Sequence, residues 1–459
     1  MIIKNLNHYG ELLTEYSELR VQENRDLTIV YNKGNLVRNS KETNGGVSAR
    51  FCKKGSWGFA STPMVNSQMI RTVIKEANEN ALFLNKRKNK NKLAFYKSIH
   101  SFEKDFSTKK ARLSQKQIMK FVKEVDTHIN KKYPKLSNRQ VILNCLDMEK
   151  SLLTSDGAKL YSMLPRTILI VSLTMEKEGK PIEAYDFFGG LGQFEDVFND
   201  PEDIFEDIDE LYEHLVNKSE GIYAEAGIKE CILDARLAGI LAHEAIGHTT
   251  EADGVLGGSV AGDNLNKQVA SPLITLVDFA NTYNGETCPV PIYIDDEGTK
   301  ADDAVIIENG ILKGFMHNKE SAQLFNVQPK GNARAFKYSD EPLIRMRNTA
   351  ILPGKSKLQD MISTIEDGYY LIQPNNGQAD TTSEFMFGVT LGYEIKNGKL
   401  GRAIKDTTIS GIAFDVLKSV TMVSEDMKWI AGGMCGKKQM ITVGMGGPAI
   451  KCKINIGGR

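Results

Sequence analysis

The chain carries no net charge: 58 Lys and Arg balance 58 Asp and Glu over 459 residues. That balance leaves no footprint for a polyanion, so nucleic acid is not an expected partner. No stretch stays apolar for the roughly 18 residues that a spanning helix requires, so no membrane partner is expected either. The opening MIIKNLNHYGELLTEY lacks the basic start, apolar run and small-residue cleavage site of a secretory signal. No CxxC pair occurs among the six scattered cysteines, Cys52, Cys145, Cys231, Cys288, Cys435 and Cys452. Together these absences point to a reduced, cytoplasmic protein. In such a protein a special cysteine is a ligand or a nucleophile rather than half of a disulfide.

What is present is ordinary globular composition with 41% hydrophobic residues, and 40 glycines that gather after residue 240. The length exceeds what one core usually supports. The expected fold class is α+β, with an N-terminal α/β domain over 1–218 and a mainly antiparallel β domain over 219–459 built around one metal-binding helix. NHYGELLTEYSELR (7–20) has helical apolar spacing. Residues 26–62 alternate like a meander, turned at NKGN and KKGS. A helix with Ser67 as N-cap follows. The basic run NKRKNKNK (85–92) reads as a solvated loop rather than an acidic-partner site. A second helix and long strands repeat the pattern over 114–190, as one domain or two small ones. The acidic segment 195–220 reads as a helix with an exposed acidic face. Beyond residue 228 come a short buried strand, KECILD, a buried helix, ARLAGILAHEAIGH, and hairpins marked by Asn-Gly at 309–310 and 397–398.

The helix holds the chemistry. Among only seven histidines, His243 and His248 stand five apart in LAHEAIGH, with Glu244 between them and otherwise Leu, Ala, Ile and Gly around them. One histidine on an apolar helix is more often a core residue bonded to backbone. Two histidines and a glutamate buried together need partners, and a cation would satisfy all three. An ideal helix points positions five apart about 140° away from each other, so two such imidazoles cannot share one ion. A metal site here demands an irregular backbone near Gly247, either a π-bulge or a helix end. Catalytic zinc usually has three protein ligands. Glu251, Asp253 and Cys435, the last set among glycines in AGGMCGKKQM, are the candidates for the third, and spacing alone does not choose between them.

HEAIGHTTEADG, IDDEGTKADDAVIIENGILKGFM, GNARAF, RMRNTAILPG and CGKKQMITVGMGGPAI occur in one order across residues 230–459. In these the chain resembles the TldD/PmbA (TldD/TldE) metalloproteases. GVSARFCKKGSWGFAST extends the likeness to the first half. The resemblance implies a zinc peptidase acting on short or unfolded peptides. It implies His243, His248 and Cys435 as ligands of Zn2+, and Glu244 as general base. Because the whole motif is present, it is similar to the catalytic, TldD-like type, as a homodimer or as a heterodimer with a PmbA/TldE-like subunit.

In that reading a peptide substrate binds as an extended strand on a sheet edge, and Arg334 or Asn332 are possible oxyanion donors with structural roles as their alternative. Two other readings compete. In one, a structural zinc sits in a non-hydrolytic peptide-binding or assembly module, which gives Glu244 no task. In the other, Cys435 serves a cysteine peptidase, which leaves HEAIGH unexplained. The glycine-rich tail lacks the phosphate-loop pattern and reads as turns and close packing.

Overall fold

The computed structural model describes residues 2–87, 94–430 and 432–457. The chain is mixed α and β, as expected. Seven strands among the described residues form the first sheet: β1 (Tyr16–Asn32), β2 (Asn35–Lys53), β3 (Ser56–Thr62), β4 (Ser101–Asp105), β5 (Asn138–Thr154), β6 (Lys159–Lys177) and β7 (Lys180–Leu191), in the order β3-β2-β1-β5-β6-β4 with β7 on β6. The antiparallel pairing of β1 with β5 joins the two meanders into one sheet. The hairpin turns use left-handed residues, such as Lys33-Gly34 and Glu178-Gly179, which match the twist of the strands they join.

Helix α1 (Ser67–Arg87) and helix α2 (Gln115–Lys132) cover this sheet. Leu19 and Val21 of β1 pack in the cluster that includes α1, and Ile29 and Tyr31 in the one that includes α2. Odd positions thus face the helices. Even positions Glu18, Arg20, Gln22 and Asn24 are buried too, although polar, because the other face meets the second half of the chain. Gln22 and Asn24 donate to Phe336 O, Arg50 pairs with Glu18 and Glu297, and Lys150 pairs with Asp296 at 2.8 Å.

Two local expectations change. Residues Asn7–Leu12 form a short 3-10 helix and the chain is already extended at Tyr16, so the helix read over 7–20 is not there. Polar residues buried on one face of β1 disguise a strand. The cap of α1 is Asn66, whose Oδ1 accepts from Met69 N–H at 2.9 Å, and Ser67 is the first helical residue. The basic run 85–92 begins at the end of α1, and its residues 88–92 lie outside the described residues. The acidic segment is helical mainly in α4 (Phe205–Ser219), after a short turn of helix, α3 (Phe194–Val197).

From β8 (Gly227–Leu233) onward the chain builds two further large sheets, beside short two-stranded ones, around a central helix. In one, strand Leu276–Phe279 pairs with Asn348–Ile351, followed by Gly444–Gly447 and, at the end, Lys428–Ile430. In the other, Asp367–Ala379, β8, Ile450–Gly457, Thr407–Ile412 and Glu384–Lys396 follow in order, and the first also pairs with the last, closing a ring. Most pairings are antiparallel. Two are parallel: β8 with Asp367–Ala379, and Asn348–Ile351 with Gly444–Gly447. Both Asn-Gly turns close hairpins, with Asn309 at φ 47° and Asn397 at φ 50°.

The central helix begins as α5 (Ala235–Ile240), capped by Asp234 Oδ1 on Arg236 N–H. Glycines set how near it comes to its sheet. A Cβ on Gly239 would stand 2.9 Å from Gly446 N, so the helix and the buried strand Gly444–Gly447 touch backbone to backbone. The glycine-rich tail is therefore close packing on strands rather than turns.

Gly247 has an ordinary helical φ of −56°, so it is not there for conformational freedom. A Cβ at that position would collide with the Met346 sulfur. We predict that Gly247→Ala costs roughly 1–3 kcal/mol in denaturant unfolding through this overpacking, and that adding Met346→Ala recovers part of the loss. Additive losses in the double variant would contradict the contact.

Candidate metal centre

After Ile240 the hydrogen bonding widens. Leu241–Gly247 is a π-helical turn, and His248 N–H donates to His243 O, five residues back. The chain then tightens into a 3-10 turn at His248–Thr250 and leaves the helix at Glu251. A turn closed between residues i and i+5 stacks His248 over His243. Their ring centroids lie 5.3 Å apart. The irregular backbone demanded by the five-residue spacing is therefore present.

Cys435 arrives from the far end of the chain on a short hairpin, Met434–Cys435 paired with Ile441–Thr442. One donor atom each from His243, His248 and Cys435 lies within 4.8 Å of the others. Cys435 Sγ is 3.2 Å from His248 Nε2. His243 is completely buried, yet neither ring nitrogen has a hydrogen-bond partner. Leaving such a group unpaired costs about 1–3 kcal/mol. A soft thiolate and two imidazoles form a donor set that suits zinc, and a cation on the buried face of His243 would remove that cost.

The surrounding residues hold the three in place. Glu251, only 1% exposed, accepts from His248 Nδ1–H at 2.9 Å, which turns Nε2 toward Cys435. Lys437, two residues past the cysteine, reaches back to Glu251 at 3.0 Å and to Asp253 at 2.7 Å. Arg345, fully buried, donates to Cys435 O at 2.9 Å and to the carbonyls of Lys437 and Gln439. Glu251 and Asp253, both considered from sequence as a third ligand, thus serve the tie between the two segments. Sequence reasoning missed Lys437 and Arg345 in these positions. The only signal was a Lys close to the cysteine and an Arg in an otherwise buried segment.

Arg334 and Asn332 do not face the donors. Arg334 donates to Met346 O and Thr442 O, and Asn332 donates to Asp278 and Arg345 O. Their role is structural, the alternative left open by the sequence. Glu244 is different. Its carboxylate lies 3.6 Å from His248 Nε2 and 3.9 Å from His243 Nε2, and it is 27% exposed, so it stands between the imidazoles and solvent.

The cysteines divide sharply. Burial pushes Cys52 up to about 11 and Cys145, Cys288 and Cys452 to about 12, and raises Cys231 as well. Burial would raise Cys435 too, but the imidazoles of His243 and His248 beside it reverse this and bring it to about 3. Burial likewise opposes charge on His248, and its bonds to Cys435 and Glu251 overcome that and lift it to about 10. We predict one thiolate per chain in chelator-treated protein. Its ultraviolet absorbance should be constant from about pH 5 to about pH 8 and absent in Cys435→Ser. An absorbance that rises through neutral pH would contradict the pairing.

The sequence pattern of the PmbA/TldA metallopeptidase C-terminal domain matches residues 227–458, and that of the PmbA/TldA metallopeptidase domain 1 matches 17–81. The chain is 31% identical to the metalloprotease TldD homolog of Buchnera aphidicola over 97% of its own length and 93% of that protein's. It is 27% identical to the zinc metalloprotease TldD homolog of Saccharolobus solfataricus, with both chains covered in full at 100%. Its fold superposes on the crystal structure of TldE from Thermococcus kodakarensis with a TM-score of 0.75, at 17% identity, over 99% of each chain. A match over half the chain that contains every donor residue, supported by full-length relatives, makes this chain a member of the PmbA/TldD metallopeptidase family.

Proposed function

We propose that the chain is a zinc-dependent peptidase of TldD type that hydrolyses short or unfolded peptides. In this reading His243, His248 and Cys435 hold the metal and Glu244 is the general base. One observation carries it: three donors converge through a π-helical turn beside the partly exposed carboxylate of Glu244, which lies 3.6 Å from His248 Nε2. The zinc name of the Saccharolobus relative supports the choice of ion.

Zinc bound there would polarise a peptide carbonyl and acidify a water. The rest is the work of this chain. Glu244, partly exposed and aimed at both imidazoles, takes the water's proton and returns it to the leaving amine. Glu251 keeps His248 in the tautomer that presents Nε2, and Lys437 offsets the buried charge of Glu251. Strand Lys428–Ile430 ends its sheet, and its outer edge has no strand partner among the described residues, which supports an extended peptide as substrate.

Glu244→Gln is expected to keep the metal and the fold while peptide cleavage falls by about 10²-fold or more. Cys435→Ala is expected to lose metal. Elemental analysis beside a peptidase assay reads both. Full turnover in Glu244→Gln would remove the base, loss of metal from it would make Glu244 a ligand, and full occupancy in Cys435→Ala would remove the thiolate. Inactive, zinc-loaded wild type would favour the alternative of a structural zinc in a peptide-binding module.

We further propose a cytoplasmic dimer, with itself or with a TldE-like subunit, that encloses the approach to the centre. The fold shared with TldE supports a related partner. Among the described residues no helix is long and apolar enough to cross a membrane. Unstructured peptides should be cut much faster than a tightly folded protein, at a solution mass of twice the chain. A monomer that digests both equally would refute enclosure.

A further inference from the structure

A cavity of about 330 Å3 opens one helical turn before Glu244. It is lined from several parts of the fold: β7, the start of the central helix, residues 373–375 of the strand Asp367–Ala379, the edge strand Lys428–Ile430, residues 432–434, and Met445. Phe187, Ile240, Trp429, Ile430, Met434 and Met445 supply its apolar wall. Glycines make the space. Trp429 lies over Gly446, where a Cβ would come within 2.7 Å of its ring, and Phe187 lies over Gly432 at the same 2.7 Å limit.

The polar groups at the rim are occupied with one another. Arg236 pairs with both oxygens of Asp186, at 2.8 Å and 3.0 Å, and also donates to Gln373. Tyr185 OH donates to Pro374 O at 2.8 Å, and Arg166 donates to Gly433 O at 2.9 Å. Among the described lining residues the charges of Arg236 and Asp186 match each other and the wall is mostly apolar, so recognition there favours an apolar group.

Its position ties it to the candidate centre. Ile240, Ile430 and Met445 pack in one cluster with Cys435, so the cavity and the cysteine share a wall. Met434 is both the rim of the cavity and the residue before Cys435. Arg236 and Ile240, four apart on the regular part of the helix, line the cavity, and Glu244 follows one turn later where the helix widens. A peptide carbonyl beside Glu244 therefore has a neighbouring side chain within reach of the cavity. The volume stands at the low end of ligand sites, which run from roughly 300 to 1,000 Å3. It accommodates a side chain and not a folded partner.

We propose that this cavity is the subsite for a side chain next to the scissile bond, and that it selects a large apolar or aromatic one. The inference rests on the peptidase reading and adds a preference to it. Backbone pairing at a sheet edge accepts any sequence, whereas this cavity does not.

The chain has two tryptophans, Trp57 and Trp429, so a Trp57→Phe, Glu244→Gln protein reports binding through Trp429 alone. Short peptides that differ at one position, Phe or Ser, are titrated into the zinc-loaded protein. The Phe peptide should shift Trp429 emission to shorter wavelength and bind about tenfold or more tightly than the Ser peptide, the effect of burying one aromatic side chain. In otherwise wild-type protein, Phe187→Ala should reduce the preference for Phe peptides in kcat/KM and leave zinc content unchanged. Equal binding of the two peptides, or tighter binding of Phe with unchanged emission, would overturn the subsite. Cleavage without preference would overturn the subsite alone, whereas failure of every peptide to bind or be cut would overturn the peptidase reading itself.

Discussion

Everything at this centre depends on one widened turn of helix. With regular hydrogen bonding, His243 and His248 would diverge by about 140°. The bond from His248 N–H to His243 O, spanning five residues, puts one imidazole above the other. A π-turn is less stable than an α-turn and survives only where its surroundings fix it. Here the close approach of Gly239 to Gly446 and of Gly247 to Met346 fixes the helix on both sides of the turn. The side chains of Thr249 and Thr250 also bond back to the carbonyls of Ala245, Ile246 and Gly247 that the widened turn frees.

The second constraint is long-range. Cys435 lies 187 residues beyond His248, and the chain passes through both C-terminal sheets before it returns. Two cations close the gap. Arg345 grips the carbonyls of the cysteine hairpin, and Lys437 bonds to the carboxylates of Glu251 and Asp253 just past the helix. Cys435, His248, Glu251 and Lys437 thus form a closed circuit of contacts. It fixes the direction of His248 and places a thiolate where burial alone would have kept a thiol.

How much of this the sequence disclosed follows from which interactions are local. The five-residue spacing of the histidines demanded a distorted helix, because that is a matter of one helix's geometry. The Asn-Gly hairpins were legible for the same reason. Gly247 was legible as special but for another cause, since its neighbour Met346 is far away in sequence. The strand at Tyr16 was hidden because Glu18, Arg20, Gln22 and Asn24 are polar and buried together against the second half. Arg345 and Lys437 were hidden because their partners are carbonyls and carboxylates brought in by the sheets. The roles of Arg334 and Asn332 were undecidable without knowing that the sheets use up their donors on Met346, Thr442, Asp278 and Arg345.

The central claim is that one thiolate and two imidazoles meet at one ion. X-ray absorption at the zinc edge of the metal-loaded protein tests it most directly, because sulfur and nitrogen ligands differ in distance. A single sulfur at about 2.3 Å together with nitrogen and oxygen ligands at about 2.0–2.1 Å is the expected result. A first shell of nitrogen and oxygen alone, with no sulfur, would contradict it.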